Sequence, residues 1–437
     1  MAPSNIHEAC LLIRFLCKSI GPRFERVRCW TPERVILALI MLMSQPRITS
    51  MEKLLPEWAE LLGLPYAPSD STFVEARQKL AKKFPGALKS IWKSLVDKAI
   101  ELIPEARRKL HDRQIIAVDG TWIWTPHAAG TIQRWGQPKA KGGSKLHYAQ
   151  MLLVTALDVI TRVPLAATVL AHDGSERAGL SAFLAALLPK SVLLLDRGYP
   201  GKELLAEIVS KDVDIVWRMQ SSDINSWNVV FLFLQEYGKP RERRVTIKLP
   251  KRTSDGISVD IEVRLIRRSF LPGRPKKGAK RDPMVLMTTL LDEKEWPAER
   301  LIALYERRWV IEDWHRDLKV RFGVESFHSK SDVLIEQELY AIMAWMTLCS
   351  ITERNAYDRI ERSRGKQRLN DPSRYQISMS NLYQATSKMF ARLIMVQDVD
   401  AVLKASEIDL QWLDSTARRR RPGRSAPRVR KTPRGQW

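Results

Sequence analysis

From Arg113 the chain turns to apolar runs too short for core helices and too continuous for half-exposed strands. Gln114-Ile115-Ile116-Ala117-Val118 reads as a buried strand that stops at Asp119-Gly120-Thr121. Residues 147–157 and 162–170 read as two more strands, joined by a turn at 158–161. A helix over 175–188 precedes a short strand over 191–195 that stops at Asp196. Residues 201–210 are helical and 213–219 strand-like. Strands of this kind must be covered by helices, which confines the segment to a layered α/β fold.

Three strands, a helix, a strand and a helix over 111–219 make an RNase H-like order. Residues 220–292 break it with three β-rich stretches, 243–249, 257–267 and 284–290, around a basic loop at 272–283. They read as a β-rich insertion lodged within the α/β domain. Residues 293–360 complete the core with helices over 297–321 and 333–360. An all-α N-terminal region occupies 1–110, with helices over 6–20, 32–44, 50–62, 72–83 and 85–105. A helical C-terminal region follows over 361–416. Thr31 before Pro32 is an N-cap, while Thr72 with Glu75 and Asp173 with Glu176 fit capping boxes. The N-terminal helices either bind DNA or simply pack on the catalytic domain.

The 437 residues carry a formal net charge of +23, which suits a polyanion and makes nucleic acid the first candidate partner. Nine basic residues and no acid stand in 417–437, so this stretch reads as a disordered arm that touches phosphates nonspecifically. Four cysteines without C-x2-C or His-rich spacing argue against zinc and a disulfide framework. The apolar stretch 180–195 is interrupted by Pro189 and Lys190 and is too short for a bilayer. No secretory signal pattern opens the chain, and a cytoplasmic location without membrane contact is expected.

Tyr305, Arg308, Glu312 and Lys319 stand in the spacing Y-x2-R-x3-E-x6-K. On one helix turning ~100° per residue they share a stripe about 60° wide. Leu304, Ile311, Leu318 and Phe322 form a neighbouring apolar stripe that can face a core. Asp119 and Asp196 are 77 residues apart, and Asp196 and Glu312 are 116 apart. Such acids converge if the strand ends share one crevice. Singly, each has a plainer reading as a turn residue or a surface ion pair. Jointly, and with the basic charge, they suit phosphodiester chemistry, where two Mg2+ ions about 3.5–4 Å apart need shared oxygen ligands.

At these positions the sequence resembles the DDE transposases of insertion-sequence family four. Tyr305, Arg308, Glu312 and Lys319 match its YREK signature, Asp119 in VDGTW its first aspartate and Asp196 in LLLDRGYPG its second. The resemblance covers roughly 110–330 and implies an RNase H-like fold with a β-strand insertion. It implies cut-and-paste transposition with Mg2+ or Mn2+, two ions, held by Asp119, Asp196 and Glu312. Tyr305, Arg308 and Lys319 would grip phosphates. It also implies terminal inverted repeats as substrate, a hairpin intermediate and a homodimer on double-stranded DNA in a bacterial nucleoid. Relatives stack a flipped base on a Trp of the insertion's last strand; here Met284 holds that place, with Trp296 and Trp227 the nearest aromatics.

The stretch 126–145 interleaves Arg134, Lys139, Lys141 and Lys145 with Trp135, a pattern that follows a DNA strand or a plain solvated loop. Arg197 and Tyr199 beside Asp196 contact DNA or merely complete a turn. Trp309 and Trp314 read as core residues, and His127, His147 and His315 lack metal-ligand spacing. Two other functions stay open: a catalytically silent, transposase-derived DNA-binding protein, and an RNase H-like nuclease that cuts without joining.

Overall fold

The computed structural model describes residues 5–19, 29–44, 51–105, 109–140, 142–220, 227–236, 241–249, 260–268, 284–365, 375–395 and 399–419. Lys141, the basic loop at 272–283 and the arm from 420 onward lie outside the described residues.

Strand β1 (Lys109–Leu110) turns into β2 (Arg113–Thr125) through His111 and Asp112, at φ 49° and 58°. Two left-handed residues make the type I′ turn whose twist matches a hairpin. Beyond it lie β3 (Ala149–Asp158), β4 (Pro164–Ala171), β5 (Val192–Leu195), β6 (Asp214–Met219), β7 (Glu242–Lys248), β8 (Asp260–Arg268) and β9 (Met284–Thr288). The sheet runs β4-β3-β2-β5-β6-β9-β8-β7, with β1 beside β2. Strands β2, β5 and β6 are parallel neighbours, and the other pairings are antiparallel. The stretches expected as a lodged insertion therefore extend the central sheet: β9 pairs with β6, and β8 and β7 follow outward.

The expected strand end at Asp119 is corrected. Strand β2 runs on to Thr125, because β3 pairs with it throughout from Ile116 to Thr125. Only the parallel pairing with β5 stops early, at Ala117 opposite Leu194. Alternation divides the strand between two layers. Ile115, Ala117 and Ile123 join one core with the long helices. Ile116 and Val118 join another with Leu180 of α7 (Glu176–Leu184) and Leu205 of α8 (Lys202–Val209).

The N-terminal helices α1 (Asn5–Ser19), α2 (Pro32–Ser44), α3 (Met51–Leu61), α4 (Asp70–Lys83) and α5 (Ala87–Leu102) match the sequence reading closely. α1, α2, α4 and α5 pack on α12 (Asp332–Arg364), a helix buried nearly all round from Leu334 to Ala356. A helix apolar on every side belongs at a centre. α13 (Met379–Met395) and α14 (Val399–Thr416) cover α12 further along. The N-terminal region thus shares a core with the inner face of the sheet. Among the described residues no helix is long and apolar enough to cross a membrane.

Thr31 caps α2 by accepting from the Arg34 N–H at 3.2 Å. The two capping boxes do not form. α4 opens earlier, after Ser69, and the Thr72 hydroxyl donates back to the Ser69 carbonyl at 2.7 Å. At α7 the cap is Ser175, whose hydroxyl accepts from Ala178 N–H at 3.2 Å, so Glu176 becomes the first helical residue.

Candidate active site

Beyond α9 (Asn228–Gln235), the helix expected over 297–321 is three pieces: α10 (Ala298–Glu306), α11 (Trp309–Arg316) and a π-helical turn (Asp317–Arg321). Between α10 and α11 the bonds tighten to i→i−3, as in Arg308 N–H to Tyr305 O and Ile311 N–H to Arg308 O. In the π-turn they widen, with Phe322 N–H reaching Asp317 O. The single stripe is therefore broken after Glu312. Tyr305, Arg308 and Glu312 stay together, while Lys319 swings to the far part of β2 and donates to the Trp122 carbonyl.

Asp119 and Asp196 each lie two residues beyond the last paired positions of β2 and β5, Ala117 and Leu194. They are therefore level with each other and on the face of Ala117, where α11 packs. There the two strands part and leave a crevice. The Arg308 guanidinium, 6% exposed, fills its centre. It donates to Glu312 Oε1 at 2.6 Å and stands 3.9 Å from Asp119 Oδ2 and 4.0 Å from Asp196 Oδ2. The Tyr305 hydroxyl donates to Asp196 Oδ1 at 3.3 Å, and Arg218 stands 3.9 Å from the same oxygen. All three expected acids thus meet around one cation.

Burial pushes the Asp119 carboxyl up to about 7; Arg308 opposes this, while the charges of Glu176 and Glu312 add to it. His315 Nδ1 is 4.0 Å from Asp119 Oδ2, but burial and then Lys319 lower its pKa to about 3, so the imidazole is neutral. Burial works against the Arg308 charge, yet Tyr305 and the surrounding carboxylates hold its pKa above the ordinary value. Among the described residues its Nε finds no hydrogen-bond partner.

This donor chemistry fits a divalent cation. Asp119, Asp196, Glu312 and Glu176 outweigh the guanidiniums of Arg308 and Arg218, and carboxylate oxygens are the ligands hard cations take. Among the described residues no three Asp, Glu, His or Cys side chains already stand close enough to share one ion. Arg308 bridges the acids instead.

The remaining expected contacts divide. Lys145 and Arg197 are exposed, and Arg197 lines a cavity of about 280 Å3 with Arg177, Pro200, Met219, Gln220 and Trp227. Arg134 is not free for phosphate: it pairs with Asp332 at 3.2 Å and Glu336 at 2.5 Å, clasping α6 (Ala129–Trp135) to α12. Tyr199 is wholly buried, which favours the turn over the DNA contact of its two readings. Trp314 is core as expected, but Trp309 is 61% exposed and its ring lies 5.9 Å from the Arg308 guanidinium. Trp296 is buried against His111, and Met284 is buried on β9. Glu176 and His315 were missed at the site. Glu176 was hidden by its resemblance to a cap, and His315 by lying one turn from Glu312 without a spaced partner.

A family model described as Transposase DDE domain matches residues 110–348. No curated protein matches the chain. Among solved structures the chain is similar to the cryo-EM structure of a piggyBac transposase synaptic complex with hairpin DNA. The TM-score is 0.47 at 9% identity, over 92% of this chain and 82% of that one.

Proposed function

The chain belongs to the Transposase DDE domain family and is an enzyme of DNA cleavage and strand transfer, and we propose that Asp119, Asp196 and Glu312 are its catalytic acids. The observation that carries the proposal is their meeting from two level strands and a crossing helix around Arg308. The core order β4-β3-β2-β5-β6 supports an RNase H-like catalytic domain. The four signature residues support membership of insertion-sequence family four.

In this reading the three carboxylates would hold two Mg2+ or Mn2+ ions. Bound there, the ions would activate the attacking oxygen and stabilise the leaving one. The chain's own groups do the rest. Arg308 shifts from bridging acids to facing the scissile phosphate, where a buried guanidinium stabilises developing charge. Tyr305 orients Asp196 through its hydroxyl. Lys319, beside the exposed Trp122 and Trp124, grips the strand running past Asp119. His315, neutral and packed at Asp119, holds that carboxylate without competing for its charge.

The substrate is the pair of terminal inverted repeats of a mobile element, cut and pasted by a homodimer on double-stranded DNA in the bacterial cytoplasm. A hairpin intermediate belongs to the proposal, with Trp309 rather than Met284 offering an aromatic face. The test is a labelled duplex carrying the element's end, incubated with Mg2+, with Mn2+ and without metal, beside Glu312→Gln. Metal-dependent cutting at the end, lost in the variant, supports the reading. Binding without cutting in either metal rejects it.

A further inference from the structure

We infer that Glu176 supplies a fourth carboxylate to the metal-binding crevice, reaching its rim from the α7 layer through the space that Gly120 leaves open. The inference rests on the metal-dependent reading of Asp119, Asp196 and Glu312. Ser175 satisfies the start of α7 with its own hydroxyl, so the Glu176 carboxylate is not spent on capping. It lies instead over Gly120, where an added Cβ would stand 2.6 Å from Glu176 Cγ and 2.7 Å from Oε1. Any side chain at 120 would evict it. Gly198 flanks the same carboxylate, its notional Cβ 4.0 Å from Oε2. The glycine of VDGTW is thus explained by an acid that lies outside the motif, while Gly198 of DRGY only neighbours it at ordinary contact distance.

Three observations aim this acid at a cation. First, it is close enough to Asp119 and Asp196 for their charges to act on one another. Second, among the described residues no cation forms an ion pair with it; Arg177, next in sequence, turns away and donates to the Gly198 carbonyl at 3.0 Å. Third, the wholly buried Tyr199 hydroxyl lies against the Glu176 carboxylate and fixes it in place, while among the described residues Arg308 Nε, buried beside the acids, has no hydrogen-bond partner and is left for a phosphate oxygen. A packing residue would have its charge matched, whereas this one adds charge where charge is already in excess. Four carboxylates shared between two ions leave their other positions to water and phosphate oxygens, the usual division for Mg2+.

The test is Tb3+ luminescence on the full-length protein, with Mn2+ as competitor, for wild type, Glu176→Gln, Glu176→Asp, Gly120→Ala and Asp119→Asn. Glu176→Gln keeps the side chain's size and should melt like wild type in EDTA, yet bind both probes about tenfold more weakly. Glu176→Asp should recover part of that loss. Gly120→Ala, which displaces the carboxylate without removing it, should copy the defect. Wild-type affinity in Glu176→Gln together with a loss in Asp119→Asn overturns the inference and leaves the three-acid reading standing. Wild-type affinity in both overturns the metal reading and this inference with it.

Discussion

Among the buried arginine–carboxylate clusters of the described residues, those of Arg77 and Arg308 make a contrast. Arg77 on α4 is wholly buried against α12, where it donates to Glu338 at 2.7 Å and to the Leu334 carbonyl at 2.8 Å. Gln337 answers by donating to the Arg77 carbonyl at 3.1 Å, and the His328 N–H donates to Glu338 at 3.0 Å. Arg308 has one short bond, to Glu312, and two carboxylates near 4 Å. The first cluster answers both its charges with short bonds, although Arg77 Nη1 finds no hydrogen-bond partner among the described residues. The second is left short of positive charge and of close contacts, which is the condition of a place that awaits something. A charged group buried in a protein is fixed by saturation when its task is to hold, and by restraint when its task is to bind.

Mutation should separate the two. Glu312→Gln and Asp196→Asn should lower end cleavage at least ~10^4-fold, about 5 kcal/mol of barrier, in a single-turnover gel assay while urea midpoints stay put. Cleavage within tenfold of wild type would erase the contrast. Glu338→Ala should do the reverse, removing about 3–5 kcal/mol of stability by leaving Arg77 buried and unpaired, as read by urea unfolding. Cleavage per folded molecule should change little.

Acid sharpens the comparison. Burial works to raise the Glu338 pKa, but Arg77 and the His328 contacts carry it below the ordinary value. Its contribution is therefore complete above the unfolded glutamate value, roughly 4.3, and is lost as pH falls through the lower folded value. Glu338→Gln should flatten that part of the acid-unfolding curve. Asp119 is displaced the other way, up to about 7. Asp119→Asn should accordingly gain about 1 kcal/mol of melting stability in EDTA at neutral pH while losing cleavage. The smallest effect belongs to Arg134→Ala, whose half-exposed clasp on α12 is worth less than about 1 kcal/mol and whose loss should leave cleavage alone.

The sequence spoke clearly where periodicity and chemistry coincide. The helices of the first hundred residues and the strands of the catalytic sheet follow from hydrophobic spacing, which burial enforces. Asp119, Asp196 and Glu312 stand out because each is an acid at the margin of an apolar run, and all three meet. What stayed hidden depends on long-range pairing. Nothing local says that β3 carries β2 seven residues past Val118, or that β9 joins β6. Glu176 was masked because a helix start explains an acid equally well. Trp309 read as core because large aromatics usually are, and only the break at Arg307–Arg308 turns its ring outward.

The π-turn makes the register of this helix a matter of length. An α-helix with one residue more than its pitch admits persists only where outside contacts hold it. Here Asp317 is that anchor, accepting from Tyr383 at 2.9 Å and from Arg321 Nε at 2.7 Å, while Leu318 is sunk in the core. The extra residue lets Lys319 reach Trp122. Deleting Leu318, the single residue between the anchor and the lysine, would both empty its place in the core and misaddress the cation. A change in count here should therefore be as damaging as the loss of Asp317 or Leu318 themselves, because frame length decides where this helix delivers its lysine.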